Sequence, residues 1–197
     1  PGLMKQVSEF LTGRIALVEL CPLSAEELQS TSLDNLWLMG GFPDGGILHR
    51  KRFPGWQNNY LEALAMRDLP AWGLPGKPAM TKRFFKMLAA ANGGPWNASQ
   101  IGKSMGLSYH TTNNYLDYLE QTFLVRRLQP YSTNIGKRLV KRPKVYWRDS
   151  GLLHALLNTG RFEDLLVQPW VGTSWEGWVI EQILADLNNR DASVEAF

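Results

Sequence analysis

The chain has 197 residues, 44% of them hydrophobic and 20% charged, with a formal net charge of +3. This composition excludes a disordered tail and predicts one large or two small domains with a sizeable core. No stretch approaches the roughly eighteen apolar residues of a membrane span, and no apolar leader opens the chain, so a protein without a membrane partner is expected. The single cysteine, Cys21, excludes an internal disulfide and points to a reducing, cytoplasmic setting. The three histidines lack metal-ligand spacing, so no metal site is predicted.

The first 54 residues predict a helix, a buried strand and a Gly/Pro-rich turn. Apolar residues recur at helical spacing over residues 1–12, and RIALVEL (14–20) has the length and branched residues of a buried strand. Ser24 and Glu27 have the spacing of a capping box that starts a short helix.

Residues 55–94 predict a helical region. One amphipathic helix runs from about Gly55 to Leu69 and a second covers 79–92, with a Pro- and Gly-rich loop between them as a candidate boundary. Arg67 and Asp68 end the first helix, and adjacent helical positions do not face each other, so the two are not expected to pair.

The segment ASQIGKSMGLSYHTTNNYL (98–116) begins a predicted helix-turn-helix. Gly106 supplies the turn, and Ser108 can cap the second helix. The positions predicted to face inward are Ala98, Ile101 and Met105 in the first helix, and Thr112, Tyr115, Leu116 and Leu119 in the second. FLVRRLQPY and KVYWRD then predict two strands, joined by a basic loop into a β-hairpin wing. The predicted fold is mostly α with small β content: a helical region plus a winged helix-turn-helix.

The tripeptide Gly102-Lys103-Ser104 matches the end of a phosphate-binding loop. That motif needs a glycine five residues before the Gly-Lys pair, and a buried strand in front of it. Position 97 is asparagine, and the preceding segment AANGGPW is a helix end and a turn. The tripeptide is therefore expected to lie inside a helix.

The last part of the chain predicts two more helices and then a strand. Ser150 is expected to cap a short helix, and Thr173 and Glu176 have capping-box spacing at the start of a long one. Trp170, Trp175 and Trp178 are expected in the core or on a face that meets another domain. Because the chain opens on Pro-Gly and closes on DASVEAF, it is expected to be a piece of a longer protein.

Several stretches together resemble a family of bacterial and archaeal AAA-type ATPases of uncertain role, built from an ATPase domain, a winged helix and a nuclease-like C-terminal domain. The stretches are SEFLTGRIALVELCPLSAEEL (8–28), LWLMGGFPD (36–44), YLEALAMRDLP (60–70), NYLDYLEQTFLVRRLQPY (114–131), GKRLVKRPKVYWRDSGLLHALLN (136–158) and WEGWVIEQIL (175–184). The stretch 136–158 is the most specific of them.

The resemblance implies a division of the chain into four parts. They are the tail of the ATPase domain with a connecting segment (1–54), the helical region (55–94), the winged helix (95–149) and the start of a truncated nuclease-like domain (150–197). It places the phosphate loop and the acidic strand that binds Mg²⁺ before Pro1, so ATP and Mg²⁺ are implied for the full-length protein only. The chain itself is expected to be a non-catalytic fragment whose partners are neighbouring domains or protomers.

The resemblance also carries two catalytic roles onto this chain. Arg14 lies where the family has an arginine that can reach the γ-phosphate of a neighbour, and the alternative is a surface arginine at the start of a strand. Glu176 lies where the nuclease-like fold has a helical acidic residue, and the alternative is the capping box with Thr173.

The charge pattern makes the winged helix a candidate DNA-binding element. From Gln121 to Arg148 there are eight basic residues and no acidic residue. The candidate contacts are Arg126, Arg127, Lys137, Arg138, Lys141, Arg142 and Lys144 on the hairpin, and the polar residues Tyr109, His110, Asn113 and Asn114 on the second helix. That helix has no lysine or arginine, so binding through the wing is expected to dominate.

The alternative is a protein-interaction module that couples the ATPase domain to a partner and touches no nucleic acid. The position of the positive charge distinguishes the two. A basic wing beside an open groove favours DNA, whereas a winged helix packed against neighbouring helices favours coupling.

Overall fold

The structure is a computed structural model that describes residues 19–28, 30–74, 76–131 and 142–189. Helices are α1 Leu33–Met39, α2 Gly55–Ala63, α3 Leu69–Ala71, α4 Pro78–Ala90, α5 Ala98–Met105, α6 Tyr109–Gln121, α7 Ser150–Leu156, α8 Phe162–Leu166 and α9 Val171–Asn189. A π-helical turn, Leu64–Asp68, joins α2 to α3, and strands β1 Val125–Leu128 and β2 Lys144–Trp147 pair antiparallel. The predicted mostly α fold with small β content is confirmed. The helix and strand predicted within residues 1–18, and with them Arg14, lie outside the described residues.

The predicted helix-turn-helix is present as α5 and α6. Gly106 ends α5 with a φ of 71°, which glycine adopts without strain, and the Ser108 hydroxyl accepts from the Thr111 N–H at 3.1 Å. All seven positions predicted to face inward are buried. Gly102-Lys103-Ser104 lies within α5, as expected. A side chain at Gly102 would press on the Leu107 carbonyl oxygen and the Thr112 hydroxyl, so this glycine allows α6 to approach.

The two strands follow α6 directly. Val125 pairs with Trp147 and Leu128 with Lys144, and Pro95 forms an additional bridge to Lys144. Helix, glycine turn, helix and antiparallel strand pair is the order that a winged helix requires. The tip of the hairpin, residues 132–141, lies outside the described residues, and with it Lys137, Arg138 and Lys141.

One hydrophobic core joins the helical region to the winged helix. Its buried side chains come from α2, the π-helical turn, α4, α5, α6, both strands and α7. Phe84 of α4 contacts Tyr115 of α6 with 5.2 Å between ring centroids, and Phe85 meets Trp147 of β2 edge-on at 5.6 Å. A second cluster contains α1, Leu165 and Trp178. The winged helix is therefore built into the helical body.

Three sequence-based expectations about helix starts and ends need correction. The cap of α7 is Asp149, which accepts from the Leu152 N–H at 2.8 Å, and not Ser150. The capping box predicted for Thr173 and Glu176 is wrong, because α9 already begins at Val171 and the Thr173 hydroxyl donates to the Trp170 carbonyl at 3.0 Å. The box at Ser24 and Glu27 does form, with the Ser24 N–H donating to Glu27 at 2.8 Å, but it opens a single turn.

Arg67 and Asp68 do pair, contrary to the expectation from α-helical spacing. The Arg67 Nε atom lies 2.7 Å from the Asp68 carboxylate. Both residues belong to the π-helical turn, whose spacing differs from the 3.6-residue period, and the exposed arginine bends back along the surface. The bond raises the pKa of Arg67 above its ordinary value.

Candidate interaction surfaces of the winged helix

The basic residues of the two strands are paired within the chain. Arg126 of β1 holds the carboxylate of Glu181 on α9, with one N–H···O distance of 2.9 Å. Arg127 holds Asp117 and Glu120, both on α6, with 2.8 Å from its Nε atom to Glu120. These strand cations are neutralised by helices on either side, which removes them from the charge available to an external partner.

Lys144, the remaining basic residue of the strand pair, is also paired. Its ammonium group lies 3.0 Å from the Glu176 carboxylate, and this bond raises the pKa of Lys144. Glu176, for which the resemblance implied a catalytic carboxylate, is thus engaged in an ion pair between the strands and α9. Within the described residues, no group of three or more His, Cys, Asp and Glu side chains is placed to hold a metal ion.

Arg148, directly after β2, links four segments of the chain. Its side chain is only 7% exposed, pairs with Glu181 at 2.9 Å and with Glu19, and lies 5.6 Å from the centre of the Phe123 ring. Burial alone would lower the pKa of Arg148, but the two carboxylates raise it above its ordinary value. Because Glu181 also holds Arg126, one carboxylate of α9 connects both strands.

The polar residues of α6 divide into exposed and engaged groups. Tyr109, His110 and Asn114 are exposed. The Asn113 side-chain oxygen instead accepts from the Trp96 indole at 2.8 Å, and its amide donates to the Tyr109 carbonyl at 3.2 Å. Of the predicted basic contacts, Arg142 is exposed and makes no ion pair with any described residue.

The buried carboxylate of Asp149 was not singled out from the sequence. It accepts from the Gly41 N–H at 2.9 Å and the Leu152 N–H at 2.8 Å, so it joins the end of α1 to the start of α7. A side chain at Gly40 would collide with this carboxylate. Desolvation raises the pKa of Asp149 to about 6, although the backbone N–H donors oppose it. Asp-Ser before an apolar run is a helix-cap signal, and it could have indicated this residue.

A second buried polar group centres on His154 of α7. The imidazole bonds to the Leu38 carbonyl at 2.8 Å through Nδ1 and to the Ser174 hydroxyl at 2.7 Å through Nε2, and that hydroxyl accepts from the Trp37 indole at 3.0 Å. Burial lowers the pKa of His154 to about 4, so the ring is neutral at pH 7. Ser174 and His154 have the separation of a nucleophile and its base. Both are fully buried, so the arrangement joins α1, α7 and α9 and presents nothing to a substrate.

None of the helices in the described part of the chain is long and apolar enough to cross a membrane.

Comparison with known proteins identifies relatives and a family. Uncharacterized protein Rv2008c of Mycobacterium tuberculosis and Uncharacterized protein Mb2031c of Mycobacterium bovis are each 37% identical over 186 residues. The match covers 94% of this chain and 42% of each relative, so the chain spans less than half the length of these curated proteins. A family described as a domain of unknown function (DUF8612) matches residues 30–163. No solved structure matches.

Proposed function

This chain belongs to the DUF8612 family, and we propose that it is a non-catalytic part of an AAA-type ATPase that couples the ATPase domain to a partner protein. The observation that carries the coupling role is the ion pairing of the winged helix. Arg126, Arg127, Lys144 and Arg148 all hold carboxylates of the same chain. A surface neutralised in this way serves to transmit position between packed elements.

The Arg148 network supplies a physical route for coupling. Glu181 of α9 holds both Arg126 and Arg148, and Arg148 also holds Glu19, which lies in the segment leading into α1. Removing one partner of a buried ion pair leaves an uncompensated charge, which is strongly destabilising. A displacement of the Glu19 segment therefore has a large energetic consequence at the strands and at α9.

The same charges argue against duplex binding by the described part of the winged helix. Affinity for DNA comes largely from lysine and arginine contacts to phosphates. Helix α6 has no such residue, and it carries the two carboxylates that hold Arg127. The helix that would enter the major groove thus brings little attraction for a duplex.

The ATPase part of the proposal rests on the sequence resemblance, and ATP and Mg²⁺ would be held by parts of the protein outside this chain. A cytoplasmic setting, which the single cysteine favours, belongs to the same proposal.

The Glu181→Gln variant tests the coupling role. We expect a loss of about 2 kcal/mol in the free energy of unfolding, because two arginines lose their charged partner. Hydrogen exchange should become faster in α9, in both strands and in the segment around Glu19. The matched control is Glu176→Gln, which removes a half-exposed pair with Lys144 and should cost under about 1 kcal/mol. Faster exchange confined to α9 would contradict the coupling role.

DNA binding through the hairpin is the second candidate, favoured by one observation. Arg142 is exposed and unpaired among the described residues, and it adjoins the loop that carries Lys137, Arg138 and Lys141. Under this hypothesis the loop would contact phosphates of any duplex.

Fluorescence anisotropy with two unrelated duplexes at several salt concentrations separates the two candidates. If the coupling role is correct, we expect no saturable, salt-sensitive binding. If the hairpin binds phosphates, affinity falls steeply with salt, and the multiple variant flattens the slope by about one for each phosphate that it no longer neutralises. That variant replaces Lys137, Arg138, Lys141 and Arg142 together. Replacing Asn113 and Asn114 is the control, and the disappearance of a sequence preference there would instead show that α6 reads bases.

A further inference from the structure

An open cleft with a basic rim lies between α2, α4 and α7. Its volume is about 530 Å³, within the range in which protein clefts bind other molecules. Leu61, Phe85 and Leu156 contribute apolar surface to the lining. The cations of the rim, all from one face of α4, are Lys82, Arg83 and Lys86.

This rim carries positive charge of the kind that ion pairing neutralises on the strand pair. No acidic residue occurs from residue 69 to residue 116, so the balancing charge must come from elsewhere in the chain. Lys82 pairs with Glu62 at 2.9 Å, the only acidic residue in the described lining. Arg83 donates to the carbonyl of Ser104 at 2.6 Å, which leaves its charge uncompensated. Lys86 is exposed and makes no ion pair within the described residues.

A surface of complementary character lies on α8 of the same chain. Glu163 and Asp164 are exposed, and Glu163 shares its charge with Arg161 only at 3.6 Å. Leu166 and Val167 follow them, 52% and 79% exposed. This acidic and apolar ridge has the two properties that the cleft needs in an occupant: negative charge for the rim and apolar side chains for the lining.

We propose that the cleft receives the α8 ridge of a second copy of the chain. Asn158 at the edge of the cleft and Glu163 on the ridge are five residues apart, so their Cα atoms lie within about 18 Å of each other. Two surfaces this close can each contact the other surface of a partner related by a two-fold axis. The expected assembly is a dimer with two reciprocal cleft-and-ridge contacts, in which Lys86 meets Asp164. This dimer does not depend on the coupling role or on nucleic acid.

Sedimentation velocity of the whole chain over a range of protein concentrations tests the dimer. We expect Lys86→Glu and Asp164→Lys each to raise the dimer dissociation constant about tenfold or more, because each places like charges opposite one another. The double variant restores the attraction with its sign reversed and should dimerise nearly as the unchanged chain does. Lys51→Glu makes the same charge change at an exposed position outside both surfaces and serves as the control.

The outcomes separate the proposal from its alternatives. A chain that stays monomeric at every concentration overturns it, as does a double variant no better than the single ones. Equal weakening by Lys51→Glu shows attraction through net charge alone and also overturns it. All three altered positions are exposed, and circular dichroism with thermal melting verifies that each variant folds. The Glu181→Gln result stands independently of all these outcomes.

Discussion

The Gly151→Ala variant is expected to lose roughly 3 kcal/mol or more of its free energy of unfolding. A side chain at Gly151 would lie against the Met39 carbonyl group, well inside contact distance, and 2.9 Å from the Gly40 nitrogen. The obstructing atoms belong to the backbone at the end of α1, which cannot rotate away as a side chain can. Overpacking of this kind forces two helices apart, and such changes form the destabilising tail of single substitutions.

Gly172→Ala is the matched control for Gly151. Both glycines are the second residue of a helix, but a side chain at Gly172 would meet no atom within 4 Å. Alanine there should be neutral or stabilising by up to about 1 kcal/mol, since it restricts the unfolded chain. Urea unfolding of both variants measures the contrast. A loss of less than about 1 kcal/mol at Gly151 would show that α1 and α7 can move apart at little cost.

Asp149 and His154 are expected to give the stability opposite dependences on pH. The pKa of Asp149 is raised from its ordinary value of 3.8 to about 6, so the folded chain binds more protons than the unfolded chain between these values. Its contribution to stability therefore falls as the pH rises from about 4 to about 6. With about 1.4 kcal/mol for each unit between the folded and unfolded pKa, the change is roughly 3 kcal/mol.

The sign is reversed for His154. Its pKa is lowered from 6.5 to about 4, so between these values the unfolded chain binds the extra proton. Its contribution rises with pH over this window, again by roughly 3 kcal/mol, and is lost as the pH falls below about 6.5. The two contributions nearly cancel in the unchanged chain.

Single substitutions reveal the two hidden slopes. In Asp149→Asn the stability should rise with pH from about 4 to 6.5, because the His154 contribution is then unopposed. In His154→Gln it should fall between about 4 and 6. Urea unfolding at several pH values, expressed as the difference from the unchanged chain, isolates each group. Parallel pH profiles for the three proteins would contradict both assignments.

The helix-turn-helix was predictable because its determinants are local. Ser108 caps α6 through the N–H three residues ahead, and Gly106 supplies a φ that other residues avoid. The apolar spacing that defined the inward faces is a property of the helix period alone. The expectations that depended on longer range or irregular geometry failed, as at Arg67 and Asp68, where the π-helical turn changes the spacing.

The electrostatic character of the winged helix could not be judged from its own segment. Between Gln121 and Arg148 the sequence shows only positive charge, whereas the carboxylates that hold Arg126 and Arg148 lie on α9 and before α1. Sequence separation hides these partners, which are 33 residues or more away along the chain. The charged rim of α4 was missed for the opposite reason, since its few cations are spread over a long segment without acidic residues.

The sequence by itself determined the helices, the glycine turn, the strand pair and the mostly α character of this protein. Each depends on residues within a few positions of one another, where spacing and backbone preference decide the conformation. Only the tertiary structure decided which charges remain available to a partner and which polar groups are buried. Asp149, His154 and Glu181 acquire their roles from helices that are distant in sequence. Burial and pairing are properties of the packed chain, because desolvation and Coulomb attraction depend on distance in space.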